Sequence, residues 1–125
     1  MRYDDVDRFC LSLPAASVHS PWRDSRVYKV GGKMFAMLAY NERGKPSGIW
    51  FKAGDGSLEI LTRQKGIGPC PYLARAKWVA VDGLTALSAT ELKAYLERAH
   101  AMVAMKLSKK HRAALGFAGQ EPASR

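Results

Sequence analysis

No stretch of this 125-residue chain approaches the ~20 consecutive apolar residues that a membrane span requires. The opening segment, MRYDDVDRFC, carries acid where a secretion signal carries base, and no apolar h-region follows it. A cytoplasmic location is therefore expected. Cysteine is scarce: Cys10 and Cys70 are the only two, and they lack metal-type spacing. In a reducing compartment they are not expected to pair. His19, His100 and His111 are scattered and form no H-E-x-x-H, so neither a metal nor a cofactor is expected. Gly66 and Gly68 of KGIGPC lack the G-K-[ST] ending of a phosphate-cradling loop. No nucleophile–base motif stands out, and the chain is not expected to be an enzyme.

Acid is the remaining shortage. Eleven Asp and Glu face twenty Lys and Arg, a net charge of +9. Such an excess favours DNA or another polyanion as partner. A hydrophobic share of 47% is ordinary for a globular protein, and the length suits one domain, expected over residues 1–115 with a frayed tail at 116–125. At this size a single core suffices without cross-links.

The element pattern is legible in places. Val6, Phe9, Cys10 and Leu13 recur on one helical face, which predicts a helix over Tyr3–Leu13 that Pro14 ends. Val27–Val30 and Lys33–Tyr40 read as two strands around Gly31-Gly32, a pair suited to a tight hairpin. Both faces of this ribbon carry apolar residues, and a two-residue turn puts Lys29 and Lys33 on opposite faces. The loop NERGKPSG leads to a third strand, IWFKA. A short helix over Leu58–Lys65 follows, with Asp55 or Ser57 as candidate N-cap and Gly66 as candidate C-cap. GIGPCPY reads as an extended connection and KWVAV as a fourth strand. Ser88 and Glu91 form a capping box for a long helix with an apolar stripe of Leu92, Tyr95, Leu96, Ala99, Met102 and Val103. SKKHRAAL extends it or starts a second. The sum is an α+β fold: an antiparallel sheet of four or five strands with helices on one face.

The basic residues cluster at turns. Arg23, Arg26, Lys29 and Lys33 surround the first hairpin; Arg43 and Lys45 occupy the second loop; Lys52 ends the third strand; Arg75 and Lys77 precede Trp78. Hairpin tips of this kind can lie along a phosphate backbone as wings. Lysines beside turns also guard strand edges against pairing with other chains, which explains Lys29 and Lys33 equally well. Lys29, Lys33, Arg43, Lys45, Lys52, Arg75 and Lys77 are the candidate nucleic-acid contacts. Trp50 and Trp78 are candidate stacking residues if they face outward, although tryptophans more often pack inside. KLSKKHRAAL is basic too, but positive charge at a helix C-terminus is favoured by the helix dipole and needs no ligand. Two further readings use the same residues. The open sheet face could serve self-association or a protein partner, giving a monomer or weak homodimer. Alternatively, the lysines could converge on a concavity lined by Tyr72 or Trp78 and hold a small anion for catalysis.

FCLSLPAA, SPW, VYKVGGKMFAML, IWFKA, GPCPYLARAKWVAVD and the segment from LSATELK to HRAAL together resemble the MmcQ/YjbR family, over about Tyr3–Leu115. The resemblance implies a CyaY-like (frataxin-like) α+β fold and a predicted DNA-binding role with a double-wing motif. Frataxins bind iron along an acidic ridge. Here Asp4, Asp5 and Asp7 make only a small cluster beside a basic strand, so iron binding is not carried over. Relatives often place Lys or Asn and His before the tryptophan, whereas this chain reads ARAKW, with Ala74, Arg75, Ala76 and Lys77 departing from that pattern.

Overall fold

The structure, a computed structural model, describes residues 1–21 and 25–116. Its order is α1 (Tyr3–Ser12), β1 (Ala16–His19), β2 (Arg26–Val30), β3 (Lys33–Tyr40), β4 (Pro46–Lys52), α2 (Asp55–Thr62), β5 (Ile67–Pro69), β6 (Trp78–Asp82), α3 (Ala89–Met105) and α4 (Lys109–Ala114), with a 3₁₀ turn at Ala74–Ala76. The six strands form one antiparallel sheet in the order β1-β2-β3-β4-β6-β5. The α+β class and the helix-covered antiparallel sheet are as expected; the sheet is wider than four or five strands. The two extra strands are its edges. β1 has four residues and β5 only three, one a glycine and one a proline. Strands this short carry too little hydrophobic alternation to be read from sequence, and they exist because β2 and β6 offer them a ladder.

The β2–β3 hairpin decides which face is core. Gly31 and Gly32 both adopt positive φ, 59° and 79°, the geometry of a two-residue turn, and Val30 pairs with Lys33 as expected. A bulge then interrupts the ladder between Tyr28 and Lys29. Phe35 is the unpaired residue, so Phe35 and Ala36 both turn inward, and both are fully buried. Beyond the bulge Tyr28 lies opposite Ala36 and Val27 opposite Met37, which reverses the pairing that an unbroken ribbon predicts. The core cluster takes Tyr28, Val30, Phe35, Leu38, Ile49, Phe51, Val79 and Val81 from the sheet. The helices add Val6 and Cys10 of α1, Leu61 of α2, and Leu92, Leu96, Ala99 and Val103 of α3.

Particular bonds fix the helices. The Ser88 hydroxyl accepts from Glu91 N at 3.1 Å while the Glu91 carboxylate accepts from Ser88 N at 2.9 Å, completing the capping box. Asp7 of α1 accepts from Arg26 Nε at 2.7 Å and from the Tyr28 hydroxyl at 2.6 Å, tying α1 to β2. Burial, and then that bond, holds the Tyr28 phenol un-ionised far above its ordinary range. SKKHRAAL forms a separate helix, α4, capped by Ser108. α2 starts at Asp55 with Gly54 as N-cap and ends with Arg63 as C-cap, so the Leu58–Lys65 bounds and the caps Asp55, Ser57 and Gly66 are corrected. Gly66, with φ 88°, instead makes the turn into β5. Most of the expected 116–125 tail, and Arg23, lie outside the described residues.

His100 of α3 is buried. Its Nε2 lies 2.7 Å from the Pro14 carbonyl, and its ring meets Phe35 edge-on at 5.3 Å. Burial lowers its pKa, although the Pro14 bond and Glu97 pull the other way. With a folded pKa below the unfolded value of about 6.5, the ring is neutral in both states above that pH and costs nothing. As pH falls through 6.5 the unfolded chain takes up a proton that the fold resists, so stability drops until the folded pKa is passed. His100→Gln should therefore flatten the fall in melting temperature between about pH 6.5 and 5; an unchanged slope would assign the acid sensitivity elsewhere.

Candidate functional site

Antiparallel topology sorts the basic residues by end. The β2–β3 turn lies at one end of β3, and the β3–β4 turn, built on Asn41, lies at the other. Eight residues of β3 at about 3.4 Å each separate them by roughly 27 Å. Lys29, Lys33, the end of β4 at Lys52 and Lys77, the residue before β6, share the first end, since Lys52 pairs with Trp78. Arg43 and Lys45 stand at the far end. Asn41 Oδ1 accepts from their backbone N–H groups at 2.9 and 3.1 Å, which fixes the loop there. The two hairpin tips thus point in opposite directions. The seven candidates do not form one stripe: Lys29, Lys33, Lys52, Arg75 and Lys77 share an end, while Arg43 and Lys45 are separate.

α3 supplies what the strand pattern could not. It runs from the far end to the lysine end, where α3 and α4 turn beneath the hairpin. A β-carbon on Gly31 would lie 2.6 Å from Leu107 Cδ1 and 3.1 Å from His111 Cε1, so the hairpin tip rests on the α3–α4 corner. On Gly54, just past β4, a β-carbon would meet Met102 Sδ at 3.0 Å. Lys106 lies between these two contacts and comes beside Lys52. Burial, and then the neighbouring Lys106 ammonium, lower the pKa of Lys52. Lys109, Lys110, His111 and Arg112 continue the same end along α4. The KLSKKHRAAL segment, which sequence reasoning assigned to the helix dipole alone, joins the hairpin lysines. Its signal was a second basic run; only the fold brings the two together.

The carboxylates lie elsewhere. Asp5 caps α1 at Arg2 N and Asp7 is held by Arg26 and Tyr28. Glu91 caps the far end of α3, and Asp82 ends β6 at that end. Asp55, the first residue of α2, stands at the lysine end, and Lys77 Nζ approaches it at 3.5 Å. Lys77 is therefore partly neutralised, whereas Lys29, Lys33, Lys52, Arg75 and Lys106 make no ion pair with a described residue. No group of three metal-ligating side chains occurs among the described residues.

The two tryptophans separate as well. Trp50 sits on the open sheet face in a row with Val27, Met37 and Ala80 and is half-buried. Trp78 is only 3% exposed. The loop from Cys70 to Lys77 folds against it: Cys70 N donates to Trp78 O at 3.1 Å and Trp78 N to Leu73 O at 3.2 Å. Trp78 anchors that loop and offers no free ring face, so it is removed as a stacking candidate. Tyr72, in the same loop, is fully exposed. Tyr72 and Trp78 consequently do not line a shared concavity.

Residues 11–102 match the family model YjbR. This chain belongs to the YjbR family. Solved structures similar to the YjbR-family chain include the following two. The Deinococcus radiodurans protein DR2400, a DUF419 domain, superposes with a TM-score of 0.80 at 25% identity, over 92% of this chain and 88% of that one. A structural-genomics target from Pseudomonas syringae superposes with a TM-score of 0.68 at 19% identity, over 82% and 99% of the two chains. No curated protein matches the sequence. No helix among the described residues of this YjbR-family fold is long and apolar enough to cross a membrane.

Proposed function

We propose that this YjbR-family protein is a cytoplasmic, non-enzymatic nucleic-acid-binding protein that grips the phosphate backbone with the lysine end of its sheet. The observation that carries the reading is the seating of the β2–β3 tip on the α3–α4 corner, which gathers Lys33, Lys52 and Lys106 beside the basic helix α4, with Lys29 at the same end on the opposite face of the ribbon. Flexible ammonium groups without carboxylate partners suit phosphate oxygens, which need charge more than fixed geometry. Placing Lys52 and Lys106 together costs electrostatic energy in the free protein, and an anion between them relieves it. This arrangement is one basic end, with a single wing and a helix corner, in place of two wings.

The test is anisotropy of a labelled 25-base-pair duplex across a salt series. Binding should weaken linearly with the logarithm of salt, with a slope of about −4 for four to five phosphate contacts. No binding at low salt, or binding indifferent to salt, would sink the reading.

A further inference from the structure

The exposed tyrosine of the β5–β6 loop is conformationally expensive. Tyr72 has φ 64° and Lys77 φ 64°, two left-handed non-glycine residues flanking one 3₁₀ turn. That geometry costs on the order of 1 kcal/mol or more per residue. The tyrosine side chain recovers none of it by packing, since its relative exposure is 102%. A side chain that merely filled space would be buried, and one that merely solubilised the loop would not be aromatic.

The loop is nevertheless rigidly built. Leu73 N donates to Cys70 O, Ala76 N to Leu73 O and Lys77 N to Ala74 O, at 3.2, 3.1 and 3.0 Å. Lys77 O in turn accepts from Ala53 N at 2.8 Å and Gly54 N at 3.2 Å, which fastens the loop to the end of β4. Trp78, the residue that follows the loop, is buried. The ring of Tyr72 is thus held outward on a fixed base, at the lysine end, three residues from the exposed Arg75. An aromatic face beside cations on a rigid support matches the needs of an unpaired nucleobase: the ring stacks on the base while lysines follow the phosphates.

We propose that Tyr72 is a stacking platform for an unpaired base, so that the basic end prefers single-stranded to duplex nucleic acid. This rests on the phosphate-binding reading above. A stacked base contributes enough that its loss weakens binding roughly five- to a hundred-fold.

The experiment compares wild type, Tyr72→Ala and Tyr72→Phe on a labelled single-stranded 20-mer, the matching duplex, and a single strand of abasic sites, at one low salt concentration. Wild type should bind the normal single strand most tightly. Tyr72→Ala should lose at least about five-fold on that strand and remain within two-fold on the duplex, while Tyr72→Phe keeps wild-type affinity. Wild type on the abasic strand should bind as weakly as Tyr72→Ala does on the normal one. If all three proteins bind both nucleic acids equally, the stacking role is overturned and the phosphate reading stands. If Tyr72→Ala weakens duplex and single strand alike, the role is overturned as a loop defect. If wild type binds none of the probes, both readings fall.

Discussion

Lys33→Glu combined with Lys106→Glu is expected to weaken duplex DNA binding on the order of 100-fold, while Arg43→Glu combined with Lys45→Glu changes it less than about two-fold. The two double variants alter net charge identically, so the comparison isolates position. Lys33 opens β3 at the hairpin tip and Lys106 lies on the α3–α4 corner that supports it. Arg43 and Lys45 occupy the turn at the opposite end of β3. Each reversal at the lysine end removes a phosphate contact and adds a repulsion, and the salt slope should shrink by about two. Both lysines are exposed, so folding is spared, and losing Lys106 also relieves Lys52. Equal losses in the two variants would mean that net charge alone governs binding, and the basic end would have no special role. Circular dichroism of each variant guards against a folding artefact.

Gly48→Ala is expected to destabilise the fold by about 3 kcal/mol or more, lowering the melting temperature by roughly 10 °C. Gly48 is central in β4, pairing with Ala39 on one side and Asp82 on the other. Its backbone is unremarkable in φ; the constraint is space. A β-carbon there would stand 2.3 Å from Val81 O and 3.4 Å from Val81 C. The obstacle is main chain in the neighbouring strand, and the bond from Gly83 N to Ser47 O at 2.8 Å ties the strands at that point. Relief therefore requires β4 and β6 to separate, which removes ladder bonds from the middle of the sheet. Gly68→Ala is the control: a β-carbon on Gly68 meets nothing within 4 Å, and its melting temperature should stay within a degree or two. A Gly48→Ala protein that melts like wild type would contradict the β4–β6 register.

The fold was readable where local chemistry speaks for itself. Ser88 with Glu91 announces the start of α3, and Gly31-Gly32 announces the hairpin; both act within a few residues, so sequence spacing suffices. α2 was misplaced because its start is set by the main chain leaving β4 at Gly54, with no side-chain cap to mark it. The bulge at Phe35 was invisible because a bulge is a relation between two strands, and it alone turns Phe35 and Ala36 to the same side. The candidate site was legible as a list of cations, and its arrangement was not. Trp78 reads as available for stacking, yet the fold leaves it only 3% exposed. Tyr72 gave no sign of its exposure, since nothing in PCPYLARAKW says which aromatic is held outward.

The sequence by itself determined the class of this protein: an excess of base over acid, an amphipathic long helix, strands of sheet-forming residues, and the YjbR pattern that the family match bears out. These properties are sums or short-range relations, and such quantities survive in a linear text. Only the tertiary structure decided which charges act together. Residues 31 and 107 become neighbours because Gly31 is small enough for Leu107 and His111 to reach the hairpin tip, while residues 33 and 45 are parted by the whole length of one extended strand. Proximity in an antiparallel sheet depends on which end of a strand a residue occupies and on what packs beneath it, and both are settled by the core.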